Sequence, residues 1–174
     1  MLGSAAGTRN RGPKHGHHLV RIWSYNQYLI ETYDKENELS FATTPEKHLL
    51  DEWLFFQASG QGPYFGRALW FSYFHKEQLP SAKERYYGEI KRITKVLDRA
   101  LEEKEYLVSN KCTFAGLAFV PWYWGVAAMG GAKPGLYAEV LSENPNFKAW
   151  LERLSARASV EKAVAARAEA SAKK

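Results

Sequence analysis

Apolar positions recur every three to four residues along most of this chain, and that spacing predicts helices. From Trp23, the residues Tyr25, Tyr28, Leu29, Thr32 and Tyr33 share one helical face, which ends in the polar run Asp34–Glu38. Thr43-Thr44-Pro45-Glu46 predicts a helix start, with a Thr cap, Pro at the first position and a carboxylate in the first turn. The helix that follows carries Leu49, Leu50, Trp53, Leu54, Phe56 and Gln57 on one side. Gly60-Gln61-Gly62-Pro63 predicts a break, read as a flexible joint between two helical segments. The aromatic run from Tyr64 to Phe74 suits either core packing or the wall of an apolar ligand pocket. Ser81 to Glu102 is amphipathic, with Tyr86, Ile90, Ile93, Leu97 and Leu101 at the helical period. Thr113 caps another helix, apolar nearly all round from Ala115 to Met129 and therefore central, which Gly130-Gly131 stops. Asn144-Pro145 opens a helix carrying Phe147, Trp150, Leu151 and Leu154, and Val160 to Lys174 reads as a fraying helix or a tail. About six helices and no convincing strand make an all-α fold.

The composition fits that picture, since 45% of the 174 residues are hydrophobic, enough for one ordinary domain. A single cysteine, Cys112, forbids an internal disulfide and suits a reducing compartment, so the expected location is the cytoplasm. No apolar run is long enough to span a membrane, and the first residues lack the apolar stretch of a secretory signal. The net charge of +5 first suggests a nucleic-acid partner. Its placement argues otherwise: Arg9, Arg11, Lys14 and Arg21 put +4 in residues 1–26, leaving +1 for residues 27–174. Residues 1–20 have no apolar period, and the basic segment 1–26 as a whole is expected to be disordered. His15, His17 and His18 fit a metal site or, more simply, a tag-like tract without supporting groups. There is no Ser/His/Asp set, HExxH, P-loop or CxxC, and His48 and His75 stand alone as packing or surface residues. Cys112 precedes a helix cap, where a helix N-terminus can lower a thiol pKa, although a lone cysteine is more often structural.

Specific strings narrow this further. QYLIETYDKENELSF, FFQASGQGPYFG, YLVSNKCTFAGLAFVPW and NPNFKAWLERLSAR resemble the helical C-terminal half of fungal glutathione S-transferases, in the branch of the yeast prion-type nitrogen regulator. The resemblance covers residues 27–166, with 167–174 as a tail. It implies that glutathione is the co-substrate, with no bound cofactor or metal in this half. The second partner it implies is a small hydrophobic electrophile met in detoxification or secondary-metabolite tailoring, and the assembly a homodimer. By position, the electrophile pocket would be walled by Phe56, Gln61, Tyr64 and Phe65, with Trp122 or Tyr123 from the central helix. The thiol-activating group belongs to the thioredoxin-like N-terminal half, which the resemblance implies is missing here.

Two departures stand out. The family carries Asp three residues after the cap at Thr113, and this chain carries Gly116, at a cost of about 1–2 kcal/mol. The glutathione-binding tripeptide ESG is replaced by Arg21, Ile22 and Trp23. A displaced reading frame accounts for the second. The codons GAA TCT GGA GCT ATA AT encode ESGAI, and read from their third base they give Ile22-Trp23-Ser24-Tyr25-Asn26. All of residues 6–26 are compatible with a shifted RVPAIEDPNTDITLYESGAII, in which the three histidines are codon debris. Residues 1–26 are therefore expected to be a frame-shifted remnant of the glutathione-binding half, and the basic run to imply no nucleic-acid partner. Two functions stay open: a glutathione transferase, incomplete as written, or a non-catalytic helical binding and dimerisation remnant.

Overall fold

The computed structural model describes residues 22–172, and among them nine α-helical segments and no strand occur. In chain order these are α1 (Ile22–Tyr33), α2 (Glu46–Phe56), α3 (Gly62–Leu69), α4 (Pro80–Ala100) and α5 (Phe114–Leu117). Then come α6 (Val120–Ala128), α7 (Leu136–Ser142), α8 (Pro145–Ser155) and α9 (Ala158–Ala172). The histidine tract and the expected disorder of residues 1–20 lie outside the described residues. Two expected boundaries move. α1 begins at Ile22, so residues 22–26 are helical rather than disordered and a division at Gln27 falls inside a helix. The Ala-, Glu- and Lys-rich end forms α9 as far as Ala172, so no tail starts at position 167, because these residues are strong helix formers.

The expected joint at Gly60–Pro63 is not a break. The backbone stays right-handed helical at Gln57 and at Gly62, and α2 runs into α3 through one wide turn over Gln57–Gln61. The Gly62 amide donates to the Gln57 carbonyl, five residues back, which is π-helical spacing. Such a turn absorbs Pro63, which has no amide to give and whose ring would crowd a regular α-turn. A second wide turn, Trp70–Phe74, continues the same bent helix before the chain turns extended at His75.

The apolar stripe of α4 lies at the centre: Ile90, Ile93 and Leu97 are completely buried. It packs on α3, α7 and α8. Rings fill the space between the helices. Phe65 meets Tyr123 edge-on at 5.3 Å, Tyr123 lies 4.5 Å from Phe147, and Phe147 lies 5.7 Å from Trp150. Gly125 lets α6 approach α3, since a side-chain carbon there would come within 3.3 Å of Leu69. The α5–α6 stretch is central on one side only: Val120, Tyr123 and Val126 are buried while Pro121 faces outward.

Caps decide two of the starts. Thr113 closes α5 as expected, its hydroxyl oxygen accepting from the Gly116 amide at 3.4 Å. α8 is capped from outside its own sequence. Asn144 donates its side-chain amide to the Val140 carbonyl, and the buried Asp98 of α4 accepts from the Asn146 and Phe147 amides at 2.9 and 3.1 Å. At α2 the expected Thr cap is absent: the Thr43 hydroxyl meets the Glu46 carboxylate rather than a backbone amide.

Candidate functional site

An open cleft of about 860 Å³ separates α1 from the α5–α6 stretch, a size within the usual range for small-molecule sites. Leu29, Ile30 and Tyr33 form the α1 wall, and Leu117, Pro121 and Trp122 form the opposite one. Leu39 and Phe114 add to the apolar lining. The polar residues are few: Asn26, Asp34, Glu38 and Gln57.

The loop after α1 holds this geometry. The Asp34 carboxylate accepts from the Glu38 and Leu39 amides and from the Ser40 hydroxyl, at 2.7, 3.1 and 2.6 Å. Desolvation pushes the Asp34 carboxyl up, but the Ser40 hydroxyl, the two amides and the Lys111 charge together outweigh it and hold it below its ordinary 3.8. The Phe114 amide donates to the Leu39 carbonyl at 2.9 Å, tying the loop to α5. Lys111 completes the fastening, donating to the Asn37 and Ser40 carbonyls at 2.7 Å each while lying 3.9 Å over the Phe41 ring.

Beneath the cleft runs a buried polar chain set up by the first wide turn. Gln57 donates to Gln61 at 3.1 Å, and Gln61 donates to the Phe119 carbonyl at 3.2 Å. Gln61 also hydrogen-bonds the Tyr123 hydroxyl, which lies 2.9 Å from Thr94, and Thr94 donates to the Ile90 carbonyl. Burial drives the Tyr123 phenol far above its ordinary 10.0, with Thr94 and Gln61 pulling the other way, so the group stays protonated.

Of the six pocket residues expected from position, Trp122 lines the cleft. Gln61, Phe65 and Tyr123 expose 1% or less of their surface and pack in the core. Tyr64 is half-buried beside Tyr86, which in turn stacks on Phe71 at 5.5 Å. Phe56 sits edge-on to Trp53 at 5.8 Å and tilted against Phe119, outside the lining. The cleft lining also holds Leu29, Tyr33, Phe114 and Leu117, which the positional expectation does not include. The α1 face was visible as a period, but its partner wall is set by the loop fastening. Cys112 is not activated: burial pushes its thiol up, with Arg157 pulling the other way. Outside the cleft, Phe55, Trp70 and Phe74 expose large apolar surfaces, the last two stacked at 5.9 Å.

This order of helices around an α4–α6 core is that of the glutathione S-transferase C-terminal domain, whose family model matches residues 63–158. The chain belongs to the glutathione S-transferase family. It is 43% identical over 148 residues to the glutathione S-transferase-like protein tpcF of Aspergillus fumigatus, covering 80% of this chain and 64% of that protein. To glutathione S-transferase 2 of Schizosaccharomyces pombe it is 38% identical, covering 84% of this chain and 68% of that one. The glutathione transferase URE2P6 of Phanerochaete chrysosporium, solved with oxidized glutathione, superimposes with a TM-score of 0.80 at 39% identity, over 88% of this chain and 69% of that one. The chain thus spans slightly less than two thirds of the length of the tpcF relative.

Proposed function

We propose that this chain supplies the electrophile-binding side of a glutathione conjugation, with the cleft between α1 and α5–α6 as the seat of a small hydrophobic electrophile. The observation that carries this reading is an apolar cleft of ligand size in a member of a family whose solved relatives hold glutathione. Burying an apolar compound against Leu29, Leu117 and Trp122 gains about 25 cal/mol for each Å² removed from water. The glutathione thiolate would attack an electrophilic carbon, forming a C–S bond while the leaving group departs with its electron pair. Thiol activation is assigned to the glutathione-binding half that the family resemblance implies.

Retention on glutathione-agarose and conjugation of chlorodinitrobenzene test the reading. Turnover that falls at least tenfold in Trp122→Ala supports it. Absence of both retention and turnover refutes the enzyme and leaves a helical binding domain. The exposed Phe55, Trp70 and Phe74 support self-association as well. Light scattering should give a dimer or larger species, and a clean monomer would count against it.

A further inference from the structure

We infer that the chain's own basic segment, residues 1–21, covers the face between α1 and the α5–α6 stretch, with Arg9, Arg11 and Lys14 laid along its apolar walls. This goes beyond the reading of that face as a ligand site. The contact holds whether or not an electrophile enters, and where one does the segment has to leave first. The segment joins α1 at Ile22, and α1 is itself one wall, so it starts at the edge of the surface that it covers. α1 has 12 residues and spans about 18 Å, with Asp34 and Glu38 beyond its far end. A chain that reverses at Gly16 covers that length in about six extended residues. Arg9 and Arg11 then lie beside the loop from Asp34 to Glu38.

Charge divides the two surfaces. Arg9, Arg11, Lys14 and Arg21 give residues 1–21 a charge of +4 with no acidic residue. Residues 27–40 carry Glu31, Asp34, Glu36 and Glu38 against Lys35, a net −3, and the three glutamates are exposed. Lys111 offsets part of the Asp34 charge. The attraction needs no bond to Asp34, whose oxygens the loop already satisfies. It comes from the summed charge of the stretch and weakens with salt. Long cationic side chains also suit the walls. Their alkyl stems cover apolar surface such as Leu29 and Leu117 while the charged heads stay wet, and a guanidinium sits favourably over the rings of Tyr33 and Trp122. A second copy fits less well, because two such faces packed about a two-fold axis would set −3 against −3. With no apolar period of its own, the segment cannot bury itself, and an open apolar face gains from any cover.

A spin label at Thr8→Cys tests this in the full chain, since the other cysteine, Cys112, is buried. At low ionic strength the label should broaden the amide signals of Tyr33, Leu39 and Phe114 about fivefold more than those of α7. Arg9→Glu with Arg11→Glu and Lys14→Glu should remove that contrast, as should added salt. In that triple variant dansylamide, a neutral apolar dye, should bind about fivefold more tightly, because the segment no longer competes. Trypsin should cut after Arg9 and Arg11 about five- to tenfold more slowly in the parent than in a folded Glu31→Lys, Glu36→Lys, Glu38→Lys chain. Uniform broadening, or broadening that survives the triple variant, overturns the inference. So do equal dye affinities in parent and triple variant, and equal cleavage rates. Broadening of isotope-labelled chains by separate spin-labelled ones makes a second copy the occupant and overturns it as well. No readout uses glutathione, so a chain that conjugates nothing can still show the cover, and a conjugating one can lack it.

Discussion

Replacing Gln61 by Leu separates a core role from a pocket role for the same residue. Its side chain is completely buried and joins three groups: the Gln57 amide, the Phe119 carbonyl and the Tyr123 hydroxyl. Leucine is close to glutamine in size, so no large cavity forms and the cost is mainly unmet hydrogen bonding. Gln57 and Tyr123 keep other contacts, and the Phe119 carbonyl still accepts from the Trp122 amide at 3.3 Å, so each lost hydrogen bond costs about 0.5–1.5 kcal/mol. The sum is about 2–4 kcal/mol, a sizeable share of the roughly 5–15 kcal/mol that holds a domain together. For a chain of this size that corresponds to a melting midpoint lower by about 4–16 °C. Urea unfolding followed by circular dichroism gives the free energy, and dansylamide titration of the folded variant gives the cleft. A variant within about 1 kcal/mol of the parent but with tenfold altered dye binding would refute the core assignment and return Gln61 to the pocket wall.

Three further outcomes follow from the same contacts. Gly116→Ala should stabilise by about 0.5–1 kcal/mol in thermal unfolding, because the added carbon would sit in ordinary contact, 3.5 Å from Trp150 and 3.8 Å from Thr113. Asp98→Ala should cost about 1–3 kcal/mol and speed hydrogen exchange at the Asn146 and Phe147 amides before other buried amides; unchanged exchange there would show that Asp98 caps nothing. On the alkaline side, the Tyr123 phenol is raised above its ordinary 10.0 in the folded chain, so its contribution is whole below that pH and is lost as pH rises beyond it, where only the unfolded chain gives up the proton. Tyr123→Phe should flatten that part of the stability–pH curve, and an unchanged slope above about pH 10 would argue against the burial.

Much of the fold was legible because helix periods depend on neighbours three and four residues apart. Ile90, Ile93, Leu97 and Leu101 were marked by spacing alone and are all buried. Thr113 was legible as a cap because its partner, Gly116, lies three residues away. The cap on α8 was not, since Asp98 lies 48 residues from Asn146 and nothing local marks it. The cleft failed to appear for the same reason. Its two walls come from residues 26–39 and 114–122, with Gln57 between, and only the loop bonds from Asp34, Lys111 and Phe114 bring them to face each other. Of the residues expected by position, Trp122 lines the cleft while Gln61, Phe65 and Tyr123 pack in the core, and an aromatic stripe reads alike in sequence whether it packs on a ligand or on another helix.

Gly60-Gln61-Gly62-Pro63 shows how a local signal can be right about its cause and wrong about its consequence. Proline at position 63 does forbid a regular α-turn, and the chain answers by widening the turn rather than ending the helix. Widening rotates the residues that follow relative to those before. Gln57 thereby reaches the edge of the cleft while Gln61, one wide turn later, stays buried beneath it. The two side chains still hydrogen-bond, so the cleft floor is joined to Phe119, Tyr123 and Thr94 through one connected chain of buried polar groups. A loose glycine hinge would let the two walls drift. A wide turn locked by that chain holds the end of α2 against the α5–α6 stretch, while the separate bonds from Asp34, Lys111 and Phe114 tie the loop after α1 to the same stretch.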